Sequence, residues 1–181
     1  MMPFIAGIVG VLMIVAIILV LRSQGKYMKK EQETGANKKA LHDLMREVMG
    51  EKFELYTYLV GYYTKIKSNI GSTTYYYFPY ILAFGGEGLI VFPFIKQQGK
   101  LYIRNQLPVD PKASGMKFKA SEKKIAVEFK IGGEKLPIFT NPVIKSMGTE
   151  NSDRPIGIYQ EQEYKKFWEY LPGFMEGKNS K

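Results

Sequence analysis

FELYTYLVGYYTKIK (Phe53–Lys67) and TTYYYFPYILAF (Thr73–Phe84), separated by SNIGS (Ser68–Ser72), decide the fold. Both runs are long and rich in tyrosine, leucine and β-branched residues, which fit a pleated, half-buried surface. The Ser-Asn-Ile-Gly-Ser between them carries turn residues, so the pair predicts a β-hairpin. Apolar residues fall at both parities in each run. Both faces of the hairpin are therefore expected to be covered.

Downstream, Gly85-Gly86-Glu87-Gly88 is a second turn, leading into Leu89 to Ile95. Pro93 in that run brings no N–H to a ladder and belongs at an edge or bulge. A short strand is expected at Lys100 to Asn105 and a loop at Pro108 to Gly115. Met116, Phe118 and Ala120 then alternate with Lys117, Lys119 and Ser121, and Ile125, Val127, Phe129 and Ile131 continue the pattern. Such alternation predicts a one-sided hairpin, wet on its lysine-bearing face. Lys135 to Thr140 adds a strand, while Asn141 to Gly157 holds too many turn residues for a regular element. Ile158 to Leu171 predicts a helix with Tyr164, Phe167, Trp168 and Leu171 on one face, stopped by Pro172-Gly173. Trp168 is expected to pack on the sheet.

About seven antiparallel strands followed by one closing helix predict an α+β domain. A bent antiparallel meander or small barrel closed by a C-terminal helix would bury these surfaces. That order resembles pleckstrin-homology-like domains, in which two sheets of a meander precede a C-terminal helix bearing a tryptophan. The resemblance spans residues 53 to 171 and departs from the pattern in having a helix ahead of the first strand. It implies a basic loop between the first strands that binds anionic headgroups. Only Lys65 and Lys67 match that loop, and they stand as a candidate binding edge.

Upstream, Leu41, Leu44, Met45, Val48 and Met49 follow helical spacing over Asn37 to Met49. Asn37 is suited to cap that helix and Gly50 to end it. Before it lies a polar, lysine-rich stretch, and before that Pro3 to Leu21, which contains no charge, amide or hydroxyl. A helix of that length reaches about 28 Å, close to a hydrocarbon core of roughly 30 Å. The residues after it offer no small-x-small cleavage site, so an uncleaved transmembrane anchor is expected. Arg22, Lys26, Lys29 and Lys30 would then sit beside lipid headgroups. They would also hold the C-terminal part in the cytoplasm and the N-terminus outside. Ala6, Gly7 and Gly10 form a small-residue patch, the expected face for a partner helix. The resulting organisation is a transmembrane helix at 3–21, a basic juxtamembrane linker at 22–36, a cytoplasmic α+β domain at 37–175 and a tail at 176–181.

The chemistry is sparse. There is one histidine, His42, on the polar side of its helix, and no cysteine. Disulfides, thiolate metal sites and cysteine nucleophiles are thereby excluded. Glu87, Asp110, Glu122, Glu134, Glu150 and Asp153 all fall in predicted turns, where turn chemistry accounts for them. Gly85-Gly86-Glu87-Gly88 lacks the Gly-Lys-Ser/Thr ending of a phosphate-binding loop. The charge of +9 is spread along the chain, which suits an anionic surface at least as well as nucleic acid. A further basic set comprises Lys117, Lys119, Lys123, Lys124 and Lys130 with Lys65 and Lys67. No cofactor and no specific nucleic acid are expected. The expected function is a single-pass, membrane-anchored, non-enzymatic binding or scaffolding module that meets the lipid bilayer and a protein partner. The alternative is a small accessory subunit of a larger membrane complex.

Overall fold

The computed structural model describes residues 34–98, 100–131, 134–144 and 157–177. The chain divides into two units, Met1–Ala36 and Asn37–Lys181. Of the first unit only 34–36 are described, and they are helical.

The second unit opens with helix α1 (37–49) and a 3-10 turn, Gly50–Leu55. Strands β1 (Tyr56–Asn69), β2 (Ser72–Gly85), β3 (Gly88–Gln97), β4 (Lys100–Ile103) and β5 (Leu107–Val109) follow. Then come β6 (Lys117–Ser121), β7 (Lys124–Ile131), β8 (Glu134–Thr140), β9 (Val143–Ile144), β10 (Ile158–Tyr159) and helix α2 (Glu161–Met175). The main sheet is antiparallel in the order β4-β3-β2-β1-β8-β7-β6, with β5 also on β3. β9 and β10 form a separate two-stranded ribbon.

Both faces of the central strands are covered, as their double-parity apolar pattern requires. Leu59, Leu82, Phe84, Leu89 and Val91 face α2, whose Tyr164, Phe167, Leu171 and Phe174 are buried against them. Ile125, Val127, Phe129 and Ile138 join this cluster from β7 and β8, leaving Lys117, Lys119 and Lys130 exposed on the other side. The opposite parity, Tyr56, Val60, Ile81, Ala83, Phe92 and Phe94, faces Leu41 and Met45 of α1 and Ile144 and Ile158 of the ribbon. Trp168 lies partly buried at the margin of its cluster, while Phe167 is fully buried.

Membrane placement is corrected. Among the described residues no helix is long and apolar enough to cross a membrane. Helix α2, for one, sets its buried stripe against exposed Glu161, Lys165, Lys166 and Glu169 and so covers a sheet. Among the described residues the fold is therefore a mostly antiparallel β-sheet with a C-terminal helix, and none of its helices is the transmembrane helix expected from the sequence. The single-pass cell-membrane location with a cytoplasmic domain falls with that helix. The expected span 3–21 with Ala6, Gly7 and Gly10, and the expected lipid contacts Arg22, Lys26, Lys29 and Lys30, lie outside the described residues.

Three local expectations also change. The chain is already helical before Asn37, whose side chain instead donates to the Gly157 carbonyl at 2.9 Å. Ile158 and Tyr159 pair with β9 ahead of the helix. α2 then runs through Pro172 to Met175, because Phe174 is buried in the core and holds the last turn down. Gly177, at φ +74, ends it by donating to the Phe174 carbonyl.

Two glycines permit close approaches. A Cβ on Gly61 would lie 2.7 Å from Ile138 Cγ2, where β1 meets β8. A Cβ on Gly85 would lie 2.1 Å from the Leu55 carbonyl oxygen, which is backbone and cannot rotate away. We expect Gly85→Ala to destabilise the protein by about 1–3 kcal/mol, the usual cost of overpacking. Gly86→Ala, where a Cβ meets nothing within 4 Å, should be close to neutral. Urea unfolding of the two variants checks this, and equal midpoints would mean the turn yields freely.

Candidate functional site

β1 and β2 are in register from Tyr56↔Gly85 to Asn69↔Ser72. Their neighbours are shorter. β3 reaches along β2 only as far as Tyr80↔Pro93, and β8 meets β1 at Tyr62↔Phe139. Continuing that last register would set Thr64 against Pro137, and a proline brings no N–H to extend a ladder. Residues 63–79 therefore leave the sheet as a two-stranded arm.

The arm is aromatic on both faces. On one, Tyr63 stacks on Phe78 with ring centroids 5.8 Å apart, alongside Lys65, Lys67 and Tyr76. On the other, Thr64 and Ile66 lie beside Tyr75 and Tyr77. Ile66 is 59% exposed, Tyr75 54% and Phe78 42%, and Ile70 at the tip is fully exposed.

At the root of the second face the arm meets β8 and the ribbon in a groove of about 600 Å3. Tyr62 and Phe139 form its floor with ring centroids 6.1 Å apart, and Ile66, Tyr75 and Tyr77 form one wall. Lys124 places its ammonium 3.9 Å from the centre of the Phe139 ring, a cation–π contact that brings positive charge to the groove. The Tyr62 hydroxyl donates to Asn141 Oδ1 at 3.3 Å, and Asn141 Nδ2 donates to the Lys123 carbonyl at 3.1 Å.

Behind the groove, Gln160 substitutes for a strand. Its side chain is 1% exposed. Oε1 accepts from Val60 N–H at 2.7 Å, and Nε2 donates to the carbonyls of Val60 and Asn141 at 2.8 and 2.9 Å. The Thr140 hydroxyl donates to the same Val60 carbonyl at 2.7 Å. A side-chain amide thus closes β1 where β8 pairs with it only at Tyr62.

The expected binding edge, Lys65 and Lys67, lies exposed on the arm, opposite Tyr76 and Thr74. Of the wider basic set, Lys124 lines the groove, on the face of the arm opposite Lys65 and Lys67. Lys117, Lys119 and Lys130 stay on the outer face of β6 and β7, where Lys117 lies opposite Glu128. His42 is exposed on α1, 3.2 Å from the Tyr58 hydroxyl and edge-on to Phe53. Among the described residues no three His, Cys, Asp or Glu side chains are grouped to hold a metal ion. The aromatic arm is not among the features expected from the sequence. Its signal was a mismatch in length, since the Tyr75-Tyr76-Tyr77-Phe78 run outlasts the strands available to flank it.

Burial pushes the hydroxyls of Tyr58, Tyr62, Tyr80 and Tyr170 above the ordinary tyrosine value. These acids are favoured neutral in the fold. Their contribution is present below the unfolded value of about 10 and is lost as the pH rises beyond it. Alkaline titration followed by tyrosinate absorbance should show a late class of tyrosines ionising together with unfolding. Ionisation of every tyrosine before the fold melts would contradict this.

No protein-family model, curated protein or solved structure matches the chain.

Proposed function

We propose that the protein is a non-enzymatic binding module whose working surface is the 63–79 arm with the groove at its root. One observation carries this reading: a two-stranded ribbon that leaves its sheet with aromatic side chains exposed on both faces. A two-stranded ribbon alone in water is marginally stable, and contiguous exposed apolar surface of this kind marks interaction sites. Tyrosine and phenylalanine are also the residues enriched where proteins meet. The meander order and the closing α2 support keeping the pleckstrin-homology-like resemblance within the proposal. Lys65 and Lys67 would then flank the contact.

The test is to place a photocrosslinking phenylalanine analogue at Tyr75 or Tyr76 of the full chain in its native cells. Discrete adducts are expected there and not from Tyr102, an exposed aromatic on β4. Adducts from Tyr102 with none from the arm would remove the arm as the working surface. Replacing both tyrosines, Tyr75→Ser with Tyr76→Ser, should abolish partner capture by an affinity-tagged chain. Stability should change by only about 0.5 kcal/mol in thermal unfolding, because exposed positions make few native contacts.

A further inference from the structure

We infer that the occupant of this surface is an extended, acidic segment of a partner protein, which adds as a strand to the β1 edge of the arm. The inference rests on the binding-module reading and specifies its partner. The two edges of the arm are not equivalent. On the β2 side Pro79 removes a donor, a common device that discourages pairing. On the β1 side, 63–69 contains no proline, and past Tyr62 its pairing among the described residues is with β2 alone. That edge also borders the groove lined by Thr64, Ile66, Lys124, Pro137 and Phe139. An added strand would find open backbone groups along about 17 Å from Thr64 to Ser68.

Alternation then dictates the partner's side chains. Those on the groove face would meet Ile66, Tyr75 and Phe139 and are apolar or aromatic. Those on the opposite face would lie beside Lys65 and Lys67 and are acidic. The arm itself carries no Asp or Glu between Tyr63 and Pro79, so nothing on it offsets those lysines. The same charges argue against a second copy of this chain. Two β1 edges paired antiparallel about Ile66 would oppose Lys65 with Lys67, and like charges directly opposite are destabilising. A single-stranded nucleic acid would use the aromatic rings and the lysines but not the open backbone edge.

The test uses the full chain and a fluorescein-labelled peptide of alternating Glu and Val with a central Tyr. Three further probes accompany it: the same peptide N-methylated at alternate residues, its Lys-for-Glu counterpart, and a single-stranded oligothymidine. Anisotropy should show saturable binding of the acidic peptide that weakens with salt. N-methylation should abolish binding. The double change Lys65→Glu with Lys67→Glu should weaken it at least about tenfold and shift preference to the lysine peptide. Amide exchange should slow at Thr64 to Ser68 and not at Ser72 to Phe78. Equal binding of the N-methylated peptide, protection confined to the β2 edge, tighter binding of oligothymidine, or arm-dependent self-association each overturns strand addition. So does absence of acidic-peptide binding. If adducts from Tyr75 persist in cells when the peptide fails, only the strand-addition inference falls. If both fail, the binding surface falls with it.

Discussion

Phe167→Ala should lower the unfolding free energy by about 3–5 kcal/mol, the usual cost of truncating a fully buried aromatic. Phe167 is 0% exposed and its ring lies 4.9 Å from that of Phe84, with Leu82, Ile125 and Leu171 in the same cluster. The cavity would open between α2 and the strands that hold it, where neither side can collapse without distorting the other. For a chain of this size that corresponds to a drop of roughly 6–20 °C in Tm. A domain has only about 5–15 kcal/mol in hand, so a loss of this size brings the variant near the edge of folding. Trp168, one residue on, keeps part of its surface in water at the cluster margin. Trp168→Ala should therefore cost clearly less, and Lys166→Ala, which is exposed, almost nothing. Circular dichroism melts of the three full-length variants give the ranking. A larger loss at Trp168 than at Phe167 would mean that α2 is rotated from the orientation described.

Gln160→Leu should cost about 2–4 kcal/mol. It strands the Val60 N–H in a buried position and removes the donor to Asn141, while the Thr140 hydroxyl still serves the Val60 carbonyl. Gln160→Glu separates shape from hydrogen bonding. A carboxylate there still accepts from Val60 N–H, but it also faces the oxygens that Nε2 now serves. Burial and those neighbours favour the neutral acid and raise its pKa in the fold. Stability of this variant should be recovered in acid, below the ordinary glutamate value, and lost as the pH rises through the raised one. Urea midpoints at two pH values check the sign. A Gln160→Glu variant that gains stability with rising pH would show that the side chain reaches solvent.

Much of the fold was legible because periodicity reports burial. Apolar residues at both parities of β1 and β2 announced two covered faces, which holds for 56–62 and 80–85 and not for the arm. The lysine-alternating β6 and β7 announced one wet face. Leu41 and Met45 gave the stripe of α1. What could not be read were features set by distant partners. Helix α2 passes through Pro172 only because Phe174 finds a place in the core. Ile158 joins a strand because Ile144 is waiting for it, across a stretch that looks irregular by composition. Gln160 carries no local mark of its role, since its partners lie on β1 and after β8. The arm was hidden for a related reason. Hydrophobic pattern says that a face wants cover, but not whether the chain supplies it, and for 63–79 none of the described residues does. Lys65 and Lys67, expected as a candidate binding edge, lie exposed on one face of the arm, and no pattern announced the groove on the other.

The Gln160 amide makes the junction between β1 and β8 a rivet where most sheets have a weld. A backbone ladder opens like a zip, one pair at a time, and loses its strength gradually. A rivet holds until it shears. With strand pairing there confined to Tyr62↔Phe139 among the described residues, the panels β1–β5 and β6–β8 are fastened by that pair, by the Gln160 amide and the Thr140 hydroxyl, and by the core beneath them. Whatever tugs on the first turn of α2 pulls directly on that fastening, two residues from the tyrosine that floors the groove.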